Sequence, residues 1–112
     1  LVVLAAGAML LAQQVVPVEQ EPRHRPVFQN AWVRALDVRF AVGDASQYHR
    51  HALPNIAVRI VGGITRADPF GGGDGTPVDT PTGRVSWYSA SPPYEHRVVN
   101  VGPGPVHIVD VE

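Results

Sequence analysis

Apolar residues recur at every second position over much of this chain. From Ala31 to Phe40, Trp32, Leu36, Val38 and Phe40 share one face, with Arg34 as the exception. Period-two alternation marks a half-buried β-strand. Further short strands are predicted at 47–51, 56–61, 64–67, 78–80, 85–88, 96–101 and 106–111, separated by Gly43-Asp44, Pro54-Asn55, Gly62-Gly63, Ser91-Pro92-Pro93 and a Gly-Pro-Gly-Pro turn. No segment beyond residue 27 has helical periodicity. Many short strands punctuated by Gly and Pro turns predict an all-β sandwich or barrel.

The first 26 residues break this pattern. Leu1 to Ala12 is uncharged and almost wholly apolar. Such a run is too short to span a bilayer, which takes about 20 residues. It fits the h-region of a secretory signal whose start is truncated, with Ala12 before Gln13-Gln14 as the cleavage point. That places the mature protein in the periplasm or outside the cell; if the segment is instead structural, the protein is cytoplasmic. Residues 13–26 hold three prolines and Arg23-His24-Arg25, and read as an irregular arm. His24, between two positive charges, is expected to be exposed and no cation ligand. The barrel proper is expected over 27–112, as a single domain.

Composition narrows the chemistry. With no cysteine among 112 residues, disulfides, thiolate metal sites and a cysteine nucleophile are excluded. A formal net charge of −1 gives no electrostatic footprint for nucleic acid. Any metal must be held by His, Asp, Glu or Asn.

The candidate site begins with His49-Arg50-His51. Residues i and i+2 on a strand project to the same side, so both imidazoles can converge on one point. Tyr48 and Arg50 then point outward. His96 opens another apolar run 45 residues after His51, and facing segments would complete an open three-nitrogen triad. Trp87, Tyr88 and Tyr94 either wall a substrate pocket or belong to the core. Alternation puts Ala57 and Arg59 on the face of Asn55. If that face is inward, Arg59 is a buried cation and a candidate clamp for a substrate carboxylate. Glu95 faces away from the His96 side unless Pro92-Pro93 kinks the approach, in which case it becomes a candidate base. His107, on the last strand, reads as a sheet histidine. The glycine-rich stretch 68–75 reads as a surface loop, with a calcium turn as the weaker alternative.

Gly43-(x)5-His49-x-His51-(x)3-Asn55-(x)6-Gly62 resembles the first cupin motif, with Asn55 where that family usually has glutamate. His96-(x)3-Asn100, preceded by Gly83 and Pro92-Pro93, resembles the second motif imperfectly. The resemblance implies a cupin-type double-stranded β-helix, or jelly-roll barrel. It implies a divalent transition metal (Fe, Mn, Zn or Ni) held by His49, His51 and His96, with Asn55 as a weaker neutral donor. It further implies a homodimer and a small-molecule substrate or ligand. Three functions follow from it: a metal-dependent enzyme of dioxygenase or Lewis-acid isomerase or decarboxylase type, a non-catalytic periplasmic binding module, or a barrel that has lost its metal.

Overall fold

Two five-stranded sheets face each other in the computed structural model, which describes residues 14–112. The strands are β1 (Val16–Pro17), β2 (His24–Gln29), β3 (Arg34–Phe40), β4 (His49–His51), β5 (Asn55–Val61), β6 (Gly63–Pro69), β7 (Val78–Thr80), β8 (Val85–Tyr88), β9 (Tyr94–Gly102) and β10 (Val106–Val111). One sheet runs β1-β4-β9-β6-β7 and the other β2-β3-β10-β5-β8. All pairings are antiparallel except the short β1–β4 contact. The strands therefore cross between the two sheets, as in a jelly roll. The apolar run 1–12 lies outside the described residues. No helix among the described residues is long and apolar enough to cross a membrane.

The period-two pattern becomes the core through register. Val106 lies opposite Phe40, Ile108 opposite Val38 and Asp110 opposite Leu36, so the inward positions of β3 and β10 stack across the ladder. Leu36, Val38, Phe40, Val106 and Ile108 are all buried, and Val18 joins them. Trp32 departs from its expected place on this face: it is 89% exposed. β3 starts only at Arg34, because Asn30 accepts hydrogen bonds from the backbone N–H groups of Trp32 and Val33 and turns the chain there.

The segment expected to be an irregular arm is built into the fold instead. Val16-Pro17 pairs with His49-Arg50, and residues 18–20 form a turn of 3-10 helix that buries Val18. β2 then begins at His24 and pairs with β3. Prolines at 17 and 26 fit because both strands lie at sheet edges, where a missing N–H costs no ladder bond. Two glycines have identifiable duties. Gly43 adopts φ +83° in the turn after β3, and a Cβ on Gly62 would sit 2.3 Å from the Thr80 carbonyl oxygen.

Candidate metal centre

Strand pairing assembles the imidazoles. β4 and β9 set His49 opposite His96 and His51 opposite Tyr94. The inward side of this sheet thus carries two histidines from one strand and one from its neighbour. Ring centroids lie 4.7 Å apart for His49–His96, 5.0 Å for His49–His51 and 5.3 Å for His51–His96. Across the barrel, one inward rung of the other sheet reads His24, Val38, Ile108, Arg59. It brings a fourth imidazole in: His24 lies 4.3 Å from the His49 ring and is 3% exposed.

His24 therefore corrects the expectation of an exposed histidine. Its flanking arginines leave by the opposite face, Arg23 to Asp44 at 2.8 Å and Arg25 to Asp37 at 3.3 Å. The alternation rule that separates Arg50 from His49 and His51 also separates Arg23 and Arg25 from His24. Counting flanking charge without its direction hid this residue. Nitrogen atoms of His24, His49 and His51 all lie within 4.8 Å of one another. His96 stands beside this trio, opposite His49.

Hydrogen bonds orient the rings. His49 Nδ1 lies 2.9 Å from the Gln47 carbonyl, which only accepts. The proton must therefore sit on Nδ1, leaving Nε2 as a lone pair aimed inward. His24 Nδ1 lies 2.6 Å from Glu21 Oε2. The buried Glu21 carboxylate also accepts from the backbone N–H groups of Arg23, His24 and Gln47. Burial pushes its carboxyl up, but the bond to His24 and these donors outweigh burial and hold it below its ordinary value. A carboxylate behind an imidazole is the usual support of a metal-binding histidine. Glu21 was not legible as a site residue, because its position in the supposed arm gave no face to assign.

The cluster fits a divalent transition ion. His49 Nε2, His51 Nδ1 and His96 Nε2 are buried with no hydrogen-bond partner. Such atoms are costly to bury unless something binds them. Burial is the main cause that depresses these rings, with neighbouring histidines adding to it: His49 falls to about 3, His51 to about 2 and His96 to about 4. Neutral imidazole is the ligating form. With no thiolate and no carboxylate among the clustered rings, the donor set suits zinc, iron, nickel or copper better than magnesium or calcium.

The rings open on a cavity of about 320 Å³. Asn55, Arg59, Tyr88, Tyr94 and Asp110 line it together with His24, His51 and His96. Asn55 donates from Nδ2 to the Leu53 carbonyl and the Tyr94 hydroxyl, at 3.2 and 3.3 Å, which leaves its amide oxygen for the cavity. Tyr94 stacks on His51 with centroids 4.8 Å apart. Asp110 lies 3.8 Å from His24 Nε2, and burial raises its carboxyl to about 6 against the pull of His24 and Arg59. It is an inward carboxyl that the sequence does not single out, since its facing depends on the strands that flank β10.

Other candidates fall elsewhere. Trp87 is 65% exposed, on the face of β8 opposite Tyr88, and does not line the cavity. Glu95 pairs outward with Arg50 at 2.9 Å, so the two prolines do not swing it into the mouth. Tyr48 packs on Phe70 and under the Arg97 guanidinium. His107 bonds Asp37 at 2.5 Å, away from the imidazole cluster. In the glycine-rich loop, Asp68 is taken up by Arg66, Arg97 and the Gly75 N–H, so that loop is pinned by arginine.

Comparison with solved structures agrees with this architecture. A cupin domain from Bordetella pertussis superposes with a TM-score of 0.69 at 20% identity, covering 79% of this chain and 88% of that one. An uncharacterised Klebsiella pneumoniae protein with a double-stranded β-helix domain gives 0.61 at 20% identity, covering 87% and 80%. A cupin 2 conserved barrel domain protein from Salinispora arenicola gives 0.53 at 22% identity, covering 82% and 71%. No family model and no curated protein matches the sequence. The fold is the cupin double-stranded β-helix. Its interior carries a histidine cluster suited to a metal.

Proposed function

We propose that the protein is a metal-dependent enzyme acting on a small organic molecule. The observation that carries this reading is the set of buried imidazole nitrogens without partners on His49, His51 and His96, the last two of which line a cavity of about 320 Å³. A barrel that had lost its metal would have closed those nitrogens onto backbone or onto one another, because each unsatisfied buried group costs about 1–3 kcal/mol. His49, His51 and His96 offer the unpartnered nitrogens, and His24, whose nitrogen lies within 4.8 Å of those of His49 and His51, completes the cluster that would hold the ion. A divalent transition ion there supplies Lewis acidity or, if redox-active, a route to dioxygen chemistry. The chain's own contribution is positional. Glu21 fixes the His24 ring, Tyr94 walls His51, and Asn55 presents its amide oxygen to the cavity. Asp110 supports an enzyme over a passive binding module, because it places an acid–base group among the lining side chains.

Metal content is the first test of this reading. Elemental mass spectrometry of the purified protein should give near-stoichiometric iron, nickel, copper or zinc, and a His49→Ala/His51→Ala variant should give none. No metal in either, even after anaerobic loading with Fe(II), would sink the enzyme reading.

A further inference from the structure

Resting on that reading, we infer that the substrate is a small monocarboxylic acid whose carboxylate is held by Arg59, with an apolar segment between it and the group presented to the histidines. Arg59 comes from β5, in the sheet opposite His49 and His96, and reaches across the interior to donate from Nη2 to Thr65 Oγ1 on β6 at 3.1 Å. Its Nη1 is buried with no partner. Its guanidinium forms no ion pair among the described residues, and burial lowers its pKa. Asp110 shares the cavity and attracts the guanidinium from beyond ion-pair distance, so the unused donor edge of this half-buried cation is open to a second anion.

Register gives the ligand its shape. Thr65 lies opposite Asn100, Ala67 opposite Val98, and Pro69 opposite His96. Arg59 therefore ends two inward steps from the His49–His96 rung. Four residues of strand at about 3.3 Å each separate those levels by roughly 13 Å of backbone. Ala67, Val98, Val38 and Ile108 line the cavity in between. A 2-hydroxy or 2-oxo acid, with its two polar groups on adjacent carbons, does not span that apolar step. A short aliphatic or aromatic acid does. A phosphate dianion is disfavoured: among the described residues Arg59 is the only cationic side chain of fixed charge lining the cavity, and Asp110 also faces it.

The test uses acetate, butanoate and hexanoate as probes, with hexanamide as the neutral control. Binding is read by isothermal titration on the full chain, beside metal content on the same sample. Affinity is expected to rise about three- to fourfold per methylene. It should fall at least tenfold for hexanamide and for Arg59→Met, as loss of a charge-assisted bond implies. Equal binding of hexanoate and hexanamide to the wild type would overturn the inference with no variant needed, as would tightest binding of acetate or no binding of any carboxylate. Metal uptake without carboxylate binding overturns this inference alone. Carboxylate binding without metal uptake sustains the Arg59 assignment and removes the enzyme reading.

Discussion

Two buried polar regions of this barrel are built on opposite terms. Around Asp68 and Asn100 every group is answered. Asp68, 1% exposed, accepts from Arg66 Nε and Nη2, Arg97 Nε and the Gly75 N–H, all at 2.7–3.1 Å. Asn100, fully buried, donates to the carbonyls of Phe40, Ala41 and Gly104 and accepts from the Gly102 N–H. Around His49, His51, His96 and Arg59, nitrogens are left over. The first region is polar because the chain must close its own turns. The second holds donors and lone pairs that nothing in the chain consumes, and that surplus is what a ligand meets.

The contrast is broken most strongly from the satisfied side. Asp68→Ala leaves two partly exposed arginines without their shared anion and the Gly75 N–H without its acceptor, and should be the most destabilising of these changes. Thermal and urea unfolding should show that loss, while metal content per folded molecule stays at the wild-type level. The pH dependence has a definite sign. The Asp68 carboxyl is buried, yet bonds to Arg66, Gly75 and Arg97 outweigh burial and hold it at about 2, below an ordinary value of 3.8. Its contribution is therefore fully present above the ordinary value and is lost as pH falls from about 4 towards 2. Asp68→Asn should flatten that part of the stability profile relative to wild type.

The opposite result is expected from the unsatisfied side. His51→Leu removes a buried imidazole whose Nδ1 has no partner and puts an apolar group of similar size in its place. Stability of the metal-free protein should stay within about 1 kcal/mol of wild type or rise. Metal affinity should fall by about 100-fold or more, since even the loss of a supporting residue costs 10–100-fold. A variant that unfolds while the wild type takes up no metal would make these rings structural and erase the contrast.

Glu21 joins the two regimes, because its carboxylate is fully bonded on one side and supports a cluster ring on the other. Glu21→Gln keeps the side chain's size but removes the charge behind His24. Metal affinity should drop about tenfold, by less than for His51→Leu. The chelator concentration that strips half the metal measures it.

The fold was legible because alternation and turn residues act locally. Leu36, Val38 and Phe40 appear inside as their spacing requires, and strands 78–80, 85–88 and 106–111 keep their boundaries. The His49 and His51 pair was legible for the same reason. His24, Glu21 and Asp110 were not, because each depends on which partner strand covers it. His24 is inward only once β2 lies on β3, and Asp110 only once Ala57 and Leu36 flank it across two ladders. Trp87 failed in the other direction: an aromatic close in sequence to His96 points to solvent because it sits one residue from Tyr88.

The smallest expected effect locates the edge of the site. Glu95 is adjacent to His96 in sequence, yet its carboxylate bonds Arg50 Nη1 on the outer surface, and Arg50 is likewise adjacent to both His49 and His51. An exposed pair of this kind contributes about 0.2–1 kcal/mol. Glu95→Gln should therefore shift stability by less than about 0.5 kcal/mol and leave metal content unchanged. Turnover, once a substrate is in hand, should change less than twofold. A loss of metal or a steep fall in kcat would mean that β9 presents Glu95 to the interior. Because the pleat is period two, that register would turn His96 and Val98 outward together. A single conservative change on the rim thus tests the register on which the whole histidine cluster depends.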